Sequence, residues 1–117
     1  NKHKKSINGS NILVIGASYK ADINDYRESP SMGIMKELIE LGGNLSYQDN
    51  YVPSIELENK TYNSIKLSEK TINSFDCIVI STHHSYLDIP LIVKHAQLII
   101  DTRNATKEIN SPTIIKL

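Results

Sequence analysis

Lys20 and Arg27 lie in a charged segment after one short apolar run, and Arg103 lies three positions after another. Cations so placed can hold an anion. The arginine guanidinium is a planar fork of donors that suits phosphate, and a charge-assisted bond of this kind is worth roughly 1.5–3 kcal/mol net. Each has an ordinary alternative. Arg103, taken alone, reads as a surface side chain paired with Asp101 or a nearby carboxylate. Residues 16–30, Gly-Ala-Ser-Tyr-Lys-Ala-Asp-Ile-Asn-Asp-Tyr-Arg-Glu-Ser-Pro, could equally be a solvated loop whose charges pair with each other. Long charged loops at the carboxyl end of a strand are usually functional, and spacing alone leaves both readings open.

Other reactive side chains carry less. Cys77 begins a Val/Ile run with no base beside it in sequence, and buried strand thiols are commonly inert. His83 and His84 are adjacent, so on an extended segment they point opposite ways, and they lack the i, i+4 spacing of a zinc pair. They read as loop or internally satisfied histidines, and no metal site is expected. Asp49 follows the second predicted strand, where a dinucleotide-binding unit carries its ribose acid. That unit needs Gly-x-Gly-x-x-Gly after the first strand, and only Gly16 is present. Asp49 therefore reads as a turn or capping residue, and the chain is not expected to bind NAD in the standard way by itself.

The elements that must position these residues are legible in outline. Residues 11–16 form a continuous apolar run ending in glycine, as in a parallel strand buried on both faces. Ser29-Pro30 opens a helix, with Met32, Met35, Leu38, Ile39 and Leu41 on one face and Gly42-Gly43 at its end. Residues 44–48 read as a second strand and 49–58 as loop. Residues 64–67 read as a short strand and 68–73 as a short helix. Residues 76–81 are another buried strand, 87–95 a helix, 97–101 a strand and 112–116 an edge strand. This alternation predicts an α/β fold with a mostly parallel sheet. In such sheets ligands bind beyond the carboxyl ends of the strands, here residues 16–29, 82–85 and 102–105.

Composition narrows the field. Thirteen Lys and Arg balance 13 Asp and Glu, so no general attraction to nucleic acid or anionic membrane is expected. The single cysteine precludes an intrachain disulfide and suits a reducing compartment. The basic start is followed by Ser-Ile-Asn-Gly-Ser rather than an apolar stretch, so no secretion signal is read, and the apolar runs are too short to span a bilayer. The expected organisation is a linker over residues 1–10 and one domain over 11–117, excised from a longer protein.

The segments ILVIGASYKADINDYRESPSMGIMKELIELGGNLSYQDNYVP, DCIVISTHHSYLD and HAQLIIDTRNA resemble the C-terminal domain of the UDP-glucose/GDP-mannose dehydrogenase family, in register over residues 11–105. The carrying motif is the Gly-x-x-Tyr-Lys-x-Asp-x-x-Asp-x-Arg-x-Ser block. The Asp-Thr-Arg-Asn ending is closer to the branch acting on UDP-N-acetyl amino sugars than to the UDP-glucose branch. Three positions depart from the family habit: Ala21, Asn50 and His83.

The resemblance implies a Rossmann-like three-layer sandwich that covers the UDP of a nucleotide sugar. It implies substrate-binding roles for Tyr19, Lys20 and Arg103, and for Arg27 a reach across the cleft to NAD. The family oxidises the sugar C6 alcohol to a carboxylate with NAD. The cofactor is bound mainly by an N-terminal domain, and the nucleophilic cysteine also lies outside this chain. The implied protein is a cytoplasmic homo-oligomer serving surface polysaccharide, such as capsule, and its isolated C-terminal domain is inactive. A different class stays open: a non-enzymatic α/β binding or regulatory module that has kept the fold.

Overall fold

The computed structural model describes residues 7–117. Of the expected linker, residues 1–6 lie outside the described residues. Residues 7–10 lie against the start of the sheet: Gly9 N donates to Gly42 O at 2.9 Å, and Asn44 N donates to Ser10 O at 2.8 Å.

Five strands form the main sheet: β1 (Asn11–Ile15), β2 (Asn44–Gln48), β5 (Cys77–Ile80), β6 (Ile99–Asp101) and β7 (Ile114–Lys116). All their pairings are parallel, in the order β2-β1-β5-β6-β7. Helix α1 (Pro30–Glu40) joins β1 to β2; α2 (Glu69–Ser74) precedes β5, and α3 (Ile89–His95) joins β5 to β6.

The alternation of buried strand residues builds two cores. Leu13, Ile15, Ile78 and Ile80 face the layer containing Ile72 of α2 and Ile92 of α3. Ile12, Val14 and Val79 face the layer containing Met35 of α1. Strands apolar on both faces are what a sheet covered on both sides requires, and each such side chain contributes about 1.5–3 kcal/mol on burial. The expected Rossmann-like three-layer α/β sandwich is therefore the observed one.

The signal that opens α1 works as predicted from sequence. Ser29 Oγ accepts from Ser31 N at 3.1 Å, and Pro30 occupies the first turn, where its missing N–H costs nothing. Asp88 caps α3, and Ser68 caps α2.

The region of residues 49–67 departs from the sequence reading. Within the stretch read as loop, Ser54–Leu57 forms β3, which pairs antiparallel with β4 (Lys60–Asn63). Residues 64–67 carry no strand. The turn residues Glu58 and Asn59 both have left-handed backbone, φ 53° and 62°. That is the geometry of a tight two-residue hairpin, here without the glycine that usually marks it. Ile55 and Tyr62, opposite each other, pack onto the α1 side of the sheet.

Topology fixes where a ligand would bind. The chain runs from β1 out to β2, then returns to the other side of β1 for β5, β6 and β7. Strand order reverses between β1 and β5, and the crevice outside their carboxyl ends is where open α/β sheets take ligands.

Candidate nucleotide site

Gly16 follows β1 with φ +95°, and its N donates to Gln48 O at 2.8 Å. A Cβ there would lie 2.5 Å from Thr82 N and 2.7 Å from Thr82 Cα, so the loops after β1 and β5 touch backbone to backbone. Thr82 Oγ1 and Ser29 Oγ both donate to Ser18 O, at 2.9 and 3.0 Å. Tyr19 N donates to Asp25 O at 2.6 Å and closes residues 19–25 into a compact excursion.

Beneath this excursion lies a buried polar network. Asp49 and His84 are each 0% exposed. Asp49 Oδ2 accepts from Ala17 N at 2.8 Å, Ser18 N at 3.1 Å and His84 Nε2 at 2.7 Å, and Oδ1 accepts from Tyr51 N at 2.8 Å. The far nitrogen of His84, Nδ1, accepts from Asp22 N at 2.7 Å. Asp22 Oδ1 in turn accepts from Ser85 N and Ser85 Oγ, both at 2.9 Å. These donors hold the Asp22 carboxyl below the usual carboxylate range.

The Asp49 contacts decide a chemical question. In a dinucleotide-binding unit, the amides just after the first strand cradle the pyrophosphate. Here the Ala17 and Ser18 amides are both used by Asp49. This chain's own residues therefore do not fit NAD in that mode, in agreement with the missing glycines.

On the other side of β5, Thr102 N and Oγ1 donate to Ile80 O at 3.2 and 2.7 Å. Asp101 is fully buried: Oδ2 accepts from Thr106 Oγ1 at 2.6 Å and Thr106 N at 2.7 Å, and Oδ1 from Ala105 N at 3.1 Å and Arg103 N at 3.0 Å. Burial raises its pKa, but these four donors outweigh burial, and the carboxyl sits below its ordinary value. The alternative in which the Arg103 side chain pairs with Asp101 is not what forms. Asp101 holds the Arg103 backbone, and the Arg103 side chain is exposed.

The sequence-derived residues thus divide. Tyr19, 49% exposed, and Lys20 stand on the excursion after β1, and Arg103 stands after β6, with β5 between them. Strand spacing puts the two loops about 10 Å apart, within reach of two long side chains. Among the described residues, no carboxylate lies within 4.0 Å of the Lys20 or Arg103 charge. Arg27 lies two residues beyond the excursion, with its side chain 83% exposed and, among the described residues, Asp25 as its one carboxylate within 4.0 Å, at 3.7 Å. Cys77 is half-buried in β5, and burial, then the Asp76 charge, pushes its thiol up to about 11. It holds almost no thiolate at neutral pH, as its reading as a structural residue requires.

Sequence reasoning gave His84 and Asp49 only the ordinary roles of satisfied histidine and turn residue. Both do those things, and together they also lock the loop that carries Tyr19 and Lys20. A separate cavity of about 440 Å³ opens beside α2 and α3, lined among others by Gln48, Lys66, Tyr86 and Leu91. None of Tyr19, Lys20, Arg27 or Arg103 lines it.

Residues 13–108 match the sequence model of the UDP-glucose/GDP-mannose dehydrogenase family, UDP binding domain. The chain is 34% identical over 82 residues to a UDP-N-acetyl-D-mannosamine dehydrogenase of Methanococcus maripaludis, a match covering 70% of this chain and 18% of that protein. It is 33% identical over 115 residues to a UDP-glucose 6-dehydrogenase of Rickettsia bellii, covering 88% of this chain and 26% of that protein. Its fold superposes on the UDP-D-ManNAc dehydrogenase of Pyrococcus horikoshii with a TM-score of 0.76 at 25% identity, over 98% of this chain and 27% of that one. The chain thus spans about a fifth to a quarter of the length of the relatives it matches. No helix among the described residues is long and apolar enough to cross a membrane.

Proposed function

Because this chain belongs to the UDP-glucose/GDP-mannose dehydrogenase family, as its UDP binding domain, we propose that it holds the nucleotide of a UDP-sugar for an NAD-dependent 6-dehydrogenase. The sugar is a UDP-N-acetyl amino sugar or UDP-glucose. Its uronic acid serves surface polysaccharide synthesis in the cytoplasm of the producing cell. The observation that carries the reading is the placement of two cations, Lys20 and Arg103, without a carboxylate within 4.0 Å among the described residues, on the two loops that flank the end of β5 at the reversal of strand order. With the Ala17 and Ser18 amides used internally, the diphosphate is left to side chains, and Lys20 and Arg103 supply them. Tyr19 offers a half-exposed ring beside Lys20 for packing on the nucleotide.

The redox chemistry belongs to the rest of the protein. NAD and the nucleophilic cysteine are supplied by an N-terminal domain and its junction with this one, and the working enzyme is a homo-oligomer. The test is direct. The 117-residue chain, titrated calorimetrically with UDP, binds it, and incubated with UDP-sugars and NAD it forms no NADH. NADH production by the pure chain would overturn the division of labour, and absence of UDP binding to both the chain and the full-length enzyme would overturn the site.

Arg27 belongs to the cofactor side in this reading. In the full-length enzyme Arg27→Ala raises the KM for NAD by roughly tenfold, one lost charge-assisted contact, and that for UDP-sugar much less. An equal or larger effect on UDP-sugar would place Arg27 on the wrong side of the cleft.

A further inference from the structure

The geometry points to His84 as a positioning residue for the nucleotide site, acting as a neutral imidazole whose proton is on Nε2. This rests on the UDP-binding reading above. A backbone N–H can only donate, so the 2.7 Å contact from Asp22 N makes Nδ1 an acceptor without a proton. The remaining proton is then on Nε2, aimed at Asp49 Oδ2 at 2.7 Å, with Ser18 Oγ at 3.2 Å.

The two ring nitrogens touch both ends of the turn that carries Tyr19 and Lys20. At one end, Ser18 Oγ donates to Lys20 O at 2.7 Å. At the other, Asp22 has left-handed backbone, φ 62°, a conformation that persists in a non-glycine residue only when its surroundings impose it. His84 imposes it through the Asp22 amide, and Ser85 through the Asp22 carboxylate. The rings of Tyr51 and Tyr86, with centroids 4.9 and 5.3 Å from that of His84, fix the plane of the imidazole. The charged groups around it are Asp49 and, 3.9 Å from Nδ1, the Asp22 carboxylate. His84 itself is fully buried and does not reach ligand, so its effect on the site runs through the turn.

Three measurements on the full chain test this. First, a long-range ¹H–¹⁵N spectrum of the unliganded protein at neutral pH shows His84 protonated on Nε2 only. An Nδ1–H tautomer or an imidazolium there would overturn the proposal without any variant being made. Second, His84→Asn keeps an acceptor near the Nδ1 position, whereas His84→Gln keeps a donor near Nε2. If the Asp22 amide is the contact that matters, hydrogen exchange at Asp22 accelerates at least about tenfold in His84→Gln and much less in His84→Asn. Third, UDP affinity follows the same order: His84→Gln weakens UDP at least about tenfold and His84→Asn by less than about threefold. Equal effects of the two variants, with circular dichroism unchanged, would reduce His84 to a structural residue. Should UDP bind neither the parent chain nor the full-length enzyme, the nucleotide reading fails, and the spectrum and the exchange rates still decide the clamp.

Discussion

Replacing either Lys20 or Arg103 by alanine in the full-length enzyme raises the KM for its UDP-sugar by roughly tenfold or more, since one charge-assisted contact is worth about 1.5–3 kcal/mol. The KM for NAD moves much less. The two residues lie far apart in sequence but flank the same strand end, so a diphosphate between them can bridge both. In the proposed site the group they hold does not react. Binding energy there can still orient the sugar, in which case kcat falls as well. Arg103→Lys restores only part of the loss, because an ammonium cannot reproduce the two parallel donors of guanidinium. Arg103 and Lys20 are exposed, and Asp101 holds the Arg103 backbone without using its side chain. Both alanine variants should therefore fold as the parent does. Two folded variants with an unchanged KM for UDP-sugar would sink the site.

Gly16→Ala attacks the same crevice from below and costs the chain several kcal/mol of stability, about 2–6 by the sum of two penalties. Two penalties add. The backbone at φ +95° disfavours any side chain, at about 1–3 kcal/mol. The new Cβ would also meet Thr82 N at 2.5 Å and Thr82 Cα at 2.7 Å. These are main-chain atoms of a loop that is itself bonded to Ile15 O and Ser18 O, so no flexible side-chain end can yield. Forced repacking of this kind costs about 1–3 kcal/mol. The combined loss is a large part of the 5–15 kcal/mol typical of a domain. Gly33→Ala is the control: it lies within α1 with open space around its Cβ position, and should stabilise the chain by about 0.5–1 kcal/mol. Urea unfolding of the two variants gives both signs. A Gly16→Ala loss under about 1 kcal/mol would mean that the β1 and β5 loops separate easily, contrary to the packing described.

Much of the fold was legible because it is written locally. The run Ile12-Leu13-Val14-Ile15 is buried on both faces and reads as such, and Ser29-Pro30 announces α1 by the chemistry of its own two residues. The hairpin was illegible for a local reason too: its turn is Glu58-Asn59, and β4 is Lys-Thr-Tyr-Asn, with little apolar signal. The polar lock was illegible for a different one. Whether an aspartate is buried depends on who donates to it, and three of the four donors to Asp49 lie 31, 32 and 35 positions away. The position of Lys20 and Arg103 at the mouth of the sheet followed from the strand pattern alone. That the Ala17 and Ser18 amides are both taken by Asp49 did not.

The sheet also sets the order in which the chain can assemble. Ile12 pairs with Cys77, and no two strands of the main sheet that are consecutive in sequence form a simple hairpin. Among the described residues the one pair that closes at once, β3 with β4, lies outside that sheet. The strand that ends at the crevice therefore waits for most of the polypeptide before its second neighbour arrives. Loop closure over such separations makes for folding on the order of milliseconds to seconds rather than microseconds. During that interval β1, apolar on both faces, has one open edge. A nascent chain of this kind is most prone to aggregate after β2 is made and before β5 emerges.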